Sequence, residues 1–528
     1  MTNKLVVFLL VVFLFFTSSK AQKIDNRAIK ELVSTLKNDI RGPYKDIRWF
    51  CTDGSIRAPK DPCPNEIGPG VQHARYKDQV EQLGKSNHLF LGQILAYTKY
   101  KDFWDAEHNH SRLKQYQIEN YLKSIDNGWI HQKAQFYRGA IQAEDEQAWG
   151  LAFYLWLLEN DQFIEQNFFL IRQSLKDVPH YNDDNVAQLM RSQSKVISDA
   201  YLPFMDLRVK IHGQPQASDI TKVEAFKAAN AAKLTGELNS QLDELLKTMA
   251  KFHRPIALSS LAKMVVLNKE SALGMALQNF SGNEKLSQDP PALVKEASQL
   301  LLQIRQELLV QKNADVRLQL LEVSLKLEEM VFKGSLEWKP NTLKELLEKT
   351  CHLAMATTGS GYIELWEWDQ LAQALTAYET QTMTLDQLTH ILHRARGQVE
   401  WSASMVKANY DDVVQQYIAF EPLAAGFIDD KIRGSVALHL GQAVGQLGDF
   451  ISNESALTNK VLGVSNQSTI RGLNPGYAFG ELVVVDGLSD EIEVSSNKIY
   501  IFQRPPSDLK PVAGIATVAE GNMVSHVQ

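Results

Sequence analysis

The chain has 528 residues, 44% of them hydrophobic and 9% aromatic, and carries a formal net charge of -7. That length and apolar content allow several domains with substantial cores and exclude extensive disorder. The acidic balance leaves no electrostatic footprint for nucleic acid, so no nucleic-acid partner is expected.

The chain begins MTNKLVVFLLVVFLFFTSSKAQ: a short region with Lys4, an apolar stretch from Leu5 to Phe16, and the small-x-small pattern Ser19-Lys20-Ala21. This predicts a secretory signal peptide over residues 1–21 and an exported mature protein, periplasmic or secreted. An uncleaved anchor is the alternative, but the run is shorter than the about 20 residues that a spanning helix needs. No second apolar run of that length follows, so no stable membrane anchor is expected.

Residues 22–130 form an N-terminal segment in which Cys51 and Cys63 bracket the turn-rich stretch TDGSIRAPKDP. In an oxidising compartment such a pair closes a small loop worth ~2–3 kcal/mol. Metal ligation is the other option for two cysteines at this separation, though no nearby histidine-cysteine set completes a zinc site. Cys351, the remaining thiol, reads as a buried small apolar side chain. His108 and His110 are two apart and do not share a helical face, so with Glu107 they read as an exposed polar segment. No metal site is expected in the chain.

Residues 131–462 read as a helical body, and from about Ile24 to Leu462 the chain as a whole is read most simply as helices. Asp289 is a suitable N-cap, followed by Pro290 and Pro291 in a first turn. Leu293, Ala297, Leu300, Leu301, Ile304 and Leu308 then fall on one face. A partner helix begins near Asn313, with Leu318, Leu321, Leu325 and Leu327 apolar and Arg317, Lys326, Glu328 and Glu329 at polar positions. Short polar connections such as QKN and KGSLEWKPN favour antiparallel packing, and no fixed period marks a solenoid. The aromatic groups Trp149, Tyr154 and Trp156, and Trp366 and Trp368, read as core packing rather than sugar-stacking platforms. The acidic run Glu144, Asp145 and Glu146 reads as a solvated face. Asp429, Asp430 and Arg433 are candidates to bind a phosphate-bound metal or to orient a neighbouring domain, but a charged helix start with an internal ion pair is the stronger reading.

Residues 463–528 change character. ELVVVD (Glu481 to Asp486), KIYIFQR (Lys498 to Arg504) and GIATV (Gly514 to Val518) are β-branched and apolar runs that read as strands. The proline-broken loop PPSDLKP lies between the last two. Before them comes RGLNPGYAFG, where Gly472, Gly476 and Gly480 permit positive φ and close backbone approach. The chain closes on GNMVSHVQ (Gly521 to Gln528).

This tail resembles the phosphohistidine, or swivelling, domain of the PEP-utilising enzymes, the family of pyruvate phosphate dikinase, PEP synthase and the glucan water dikinases. The match rests on the glycine turn, the VVV strand, the PPSD loop with PVAGIAT, and GNMVSH, in that order. With the helical body read above, the fold expected is mainly α: a long multi-helix body followed by what the resemblance implies is a truncated α/β phosphohistidine domain. The resemblance also implies that His526 accepts a phosphoryl group from a nucleotide and passes it on. Ser525 is then a donor to the phosphate or a cap for the following helix, and Thr517, Gly521 and Asn522 belong to the phosphate loop. A neutral imidazole is nucleophilic near neutral pH, and a covalent phosphoryl-enzyme divides one difficult transfer into two easier ones. The chain departs from the family at Asn522, where many members have a second glycine, and at Val524, where they have a threonine. RGQVEW (Arg396 to Trp401), FEPLAAGFIDDKIRGS (Phe420 to Ser435), IRWFCTDG and GVQH (Gly70 to His73) are similar to segments of longer PEP-synthase-like proteins.

No GxxxxGK[ST] cradle occurs in the chain. The resemblance implies an ATP-grasp nucleotide-binding module that charges the histidine with ATP and Mg²⁺, expected outside this chain, either in a longer version of the same protein or on another chain. The function expected is an ATP-dependent dikinase-like phosphotransferase acting on pyruvate or a glucan, with this chain inactive alone. The alternative is an exported helical binding or scaffold protein with a vestigial tail domain.

Overall fold

The computed structural model describes residues 23–68, 70–96, 98–126, 143–180, 186–213, 215–253, 258–261, 271–376, 382–454, 477–485, 494–503 and 511–518. Among these residues the molecule is mainly helical, with two small three-stranded sheets. None of its helices, among the described residues, is long and apolar enough to cross a membrane.

The N-terminal segment departs from the all-helical expectation. After α1 (Asn26–Asn38), which Asp25 caps by accepting from the Ala28 N–H at 2.9 Å, the chain forms an antiparallel sheet. Its strands are β1 (Tyr44–Phe50), β2 (Ile56–Arg57) and β3 (Val71–Tyr76), in the order β2-β1-β3. The strands are short and mostly half-buried, so they lack the clean apolar alternation by which strands are recognised. Two segments singled out above meet here, with Arg48 opposite His73 and Trp49 opposite Gln72. A disulfide joins Cys51 to Cys63, with an S–S length of 1.98 Å and Cα atoms 5.6 Å apart.

Next come α2 (Asp78–Asn87), the short α3 (Tyr100–Trp104) and α4 (Ser111–Asp126). Between α2 and α3 runs an irregular segment in which Leu89, Leu91, Ile94 and Leu95 are buried. Buried backbone donors outside regular structure need partners. Gln115 Oε1 accepts from the Phe90 N–H at 2.8 Å, and the buried Glu119 carboxylate accepts from Gly92 at 3.1 and 3.2 Å. Glu146, 5% exposed, accepts from Leu95 and Ala96 at 3.0 and 3.2 Å, which corrects the solvated reading of that residue.

Within the body, the helix Pro290–Val310 is capped by Asp289, which accepts from Ala292 at 3.1 Å, and it buries Ala297, Leu300, Leu301, Ile304 and Leu308. It packs on the helix Ala314–Glu337, capped by Asn313. KGSLE belongs to that second helix, so the connection to the next one starts at Trp338, itself buried. Arg317 and Glu328 are interior rather than surface positions. Arg317 donates to Leu158 O at 2.6 Å and pairs with Asp161. Glu328 Oε2 accepts from Arg172 Nη1 at 2.7 Å and Lys176 Nζ at 3.1 Å. Cys351, Trp149, Tyr154 and Trp368 are buried and Trp156 is half-buried, but Trp366 is 60% exposed and is not part of the core.

One hydrophobic cluster takes side chains from Ile29 through to Ile451, and a second gathers around Phe204, Leu242 and Met249. The 34-residue helix Leu385–Ile418 opens on a capping box between Thr384 and Gln387 and reaches back to the N-terminal segment. Tyr417 donates to Glu119 at 3.2 Å, and Gln416 donates to Asn87 O at 3.1 Å.

Candidate functional site

The tail residues form a parallel sheet of β4 (Glu481–Val485), β5 (Lys498–Phe502) and β6 (Gly514–Thr517), in the order β4-β5-β6. Val485, Tyr500 and Phe502 make its small core, while Leu482 and Val484 face outward. A side chain at Gly480 would place its Cβ 2.4 Å from Asn497 O, so glycine is required there by close backbone approach. Thr517 closes β6, opposite Phe502, and is half-buried. His526, Ser525, Gly521, Asn522, Gly472 and Gly476 lie outside the described residues.

Asp429 and Asp430 were the carboxylates with a case for a phosphate-bound metal. Asp429 takes Arg433 Nε at 2.6 Å within one helix, and Asp430 takes Arg191 Nε at 3.2 Å across to another. The adjacent Lys431 pairs with Asp177 at 2.9 Å. Guanidinium groups occupy both carboxylates, so the pair does not fit a phosphate-bound metal: Asp429 makes the internal ion pair of its own helix and Asp430 ties that helix to another.

A different constellation appears in the N-terminal segment. His88 follows the last turn of α2 and Asp105 follows α3, each as the C-cap and each in the left-handed region, at φ 53° and 52°. His88 Nε2 lies 2.6 Å from Asp105 Oδ2, and His108 Nδ1 lies 2.8 Å from Asp105 Oδ1. The two imidazoles stack with centroids 3.9 Å apart. Burial works to raise the Asp105 pKa, but the hydrogen bonds from His88 and His108 outweigh it and hold the carboxyl below its usual range. The Arg112 backbone N–H donates to Asp105 Oδ2 at 3.1 Å and fixes the carboxylate plane.

The polar-segment reading fails for His110, which is buried beside Trp104 and hydrogen-bonds its carbonyl at 2.8 Å. Burial pushes its imidazole pKa down. Next to the cluster, the Arg112 guanidinium lies over the Phe90 ring at 4.5 Å and donates to Gln93 at 3.0 Å. Phe90, Gln93 and Arg112, with Tyr76 and Lys85, line a groove of about 300 Å³. Spacing alone does not reveal this cluster, because His88 and Asp105 are brought together by an irregular buried segment. The signal available in the sequence was Gly92 interrupting the apolar run LFLGQIL; it adopts φ 67°. Comparison of the chain with protein-family models, curated proteins and solved structures returned no match.

Proposed function

We propose that this chain is the phosphoryl-carrier portion of a phosphotransferase of the PEP synthase or water dikinase type, with His526 as the carrier. The observation that carries the reading is the parallel order β4-β5-β6, with Thr517 at the carboxyl end of β6 and His526 nine positions further on. In open parallel sheets ligands gather beyond the carboxyl ends of the strands. A phosphate-handling segment that follows β6 in the sequence is in keeping with that rule. The glycine-only approach at Gly480 supports the same resemblance, because it lets the turn before β4 pack directly on the start of β5.

The chemistry is a double displacement. A ring nitrogen of neutral His526 attacks the β-phosphorus of ATP, the P–N bond forms, the P–O bond to the α-phosphate breaks with its electrons leaving on AMP, the ring gives up a proton to solvent, and water then displaces the γ-phosphate as inorganic phosphate. In the second half an oxygen of pyruvate or of a glucan attacks, and the P–N bond breaks to regenerate the imidazole. Ser525 donates to the phosphoryl oxygens. ATP and Mg²⁺ act on the ATP-grasp module, to which this chain contributes the carrier alone. The Cys51–Cys63 disulfide supports an exported location, since such bonds persist in oxidising compartments.

The test joins the chain to an ATP-grasp module, in cis or in trans, and supplies ATP labelled at the β-phosphate. Label that is acid-labile and base-stable, and that disappears in His526→Ala, is expected. Label retained in His526→Ala refutes the carrier assignment. A second reading, a helical binding protein with a vestigial tail, draws on Trp366, whose exposed indole suits stacking on a sugar ring.

A further inference from the structure

We propose that His88, Asp105 and His108 form a binding site for one divalent transition-metal ion of the zinc type, independent of the tail. One ligand atom from each residue lies within 4.8 Å of the other two. Two imidazole nitrogens with one carboxylate oxygen suit zinc, cobalt or nickel, whereas Mg²⁺ and Ca²⁺ prefer oxygen alone. With bonds of about 2.0–2.2 Å to a four-coordinate ion, the ligand atoms sit roughly 3.4 Å apart, so the 2.6 and 2.8 Å separations widen by less than about 1 Å on binding.

Three further observations favour an ion here over a mere hydrogen-bonded triad. His88 and Asp105 both hold left-handed backbone, as do Asn109 and His110, which gives four such non-glycine residues around one cluster. Backbone in this region is costly and collects where a side chain must be aimed. His88 also ends the ten-residue α2, whose negative pole favours a cation. The Arg112 N–H on Asp105 Oδ2 supplies the orienting contact that ligating carboxylates characteristically have.

Metal entry replaces two N–H···O hydrogen bonds by metal–ligand bonds. His88 binds through Nε2 and His108 through Nδ1; each neutral ring gives the proton that faced Asp105 to solvent and takes one up on its other nitrogen, Nδ1 of His88 and Nε2 of His108. Asp105 stays ionised, and protonated histidines would release their protons. The His88 and His108 side chains are 31% and 54% exposed, which leaves an outward position for water or a fourth ligand.

The full chain, stripped with chelator, is titrated with Zn²⁺ by calorimetry and with Co²⁺ by visible absorption. One ion per chain is expected, with the Co²⁺ bands of a four-coordinate site. His108→Ala and His88→Ala should each weaken Zn²⁺ binding by more than about 100-fold, beyond the usual effect of losing an orienting contact. His390→Ala, at a side chain 80% exposed on another helix, should leave binding unchanged. His108 is the more exposed ligand, so its variant remains informative if His88→Ala does not fold. Failure of the unaltered chain to take up Zn²⁺, or wild-type affinity in His108→Ala, overturns the proposal.

Discussion

Replacing Glu328 by alanine tests how the helical body tolerates charge in its interior. Arg172 has a side chain 0% exposed, and Lys176 one that is 19% exposed; both meet the single oxygen Glu328 Oε2. Arg172 also donates to Ser324 Oγ and Ser324 O at 2.9 Å, but these neutral acceptors cannot balance its charge. Lys431 and Asp177 lie alongside, so the group comprises three cations and two carboxylates. Burial alone pushes the Glu328 carboxyl up, yet the charges of Lys176 and Arg172 outweigh it and hold the pKa below its usual range. Removing one partner of a buried pair costs about 3–5 kcal/mol, because the other charge is left unpaired. Lys176 can turn toward water, so Glu328→Ala should fall at the lower end, about 3 kcal/mol. Urea unfolding followed by circular dichroism reads this as a lowered midpoint with an unchanged slope. The double variant Arg172→Met/Glu328→Met should lose less than the sum of its single changes. A loss under about 1 kcal/mol for Glu328→Ala would show that water already reaches these charges and refute the reasoning.

Acid should weaken the fold through buried histidines. Burial lowers the pKa of His439 to about 3, and those of His73 and His352 to about 4. The unfolded chain binds more protons between these values and about 6.5, so stability rises with pH through that window and is complete above it. Urea midpoints from pH 7 to pH 5 should fall less steeply for His439→Leu, and an identical slope would count against the assignment. Cys51→Ser/Cys63→Ser opens a loop of sequence separation 12 and should cost ~2–3 kcal/mol. Reduction should lower the Tm of the unaltered chain and leave that of the double variant unmoved.

Where a physical signal was local, the sequence was readable. Asp289 with two prolines behind it marks a helix start, and the runs at Glu481–Val485, Lys498–Phe502 and Gly514–Thr517 are strands because β-branched apolar composition and flanking turn residues agree there. The β1–β3 sheet escaped notice because its strands are half-polar and derive much of their order from pairing with each other across the disulfide loop. Glu146, Arg317 and Glu328 were misplaced for one shared reason. A charge at a helical position reads as solvent-facing unless its partner is known, and each partner comes from a distant element. The His88, Asp105 and His108 cluster was illegible for the same cause, since left-handed caps and an irregular segment bring its members together.

The clasp of the helix Leu385–Ile418 on the N-terminal segment bears on how the chain matures. Tyr417 reaches Glu119 across 298 positions and Gln416 reaches Asn87 across 329. The face of the N-terminal elements that this helix covers thus stays open until the chain has been made through Tyr417. Pairings so remote slow the search for the native arrangement and lengthen the time apolar surface stays open to aggregation. A holdase acting during synthesis should raise the yield of this protein more than that of a bundle whose helices pack in order.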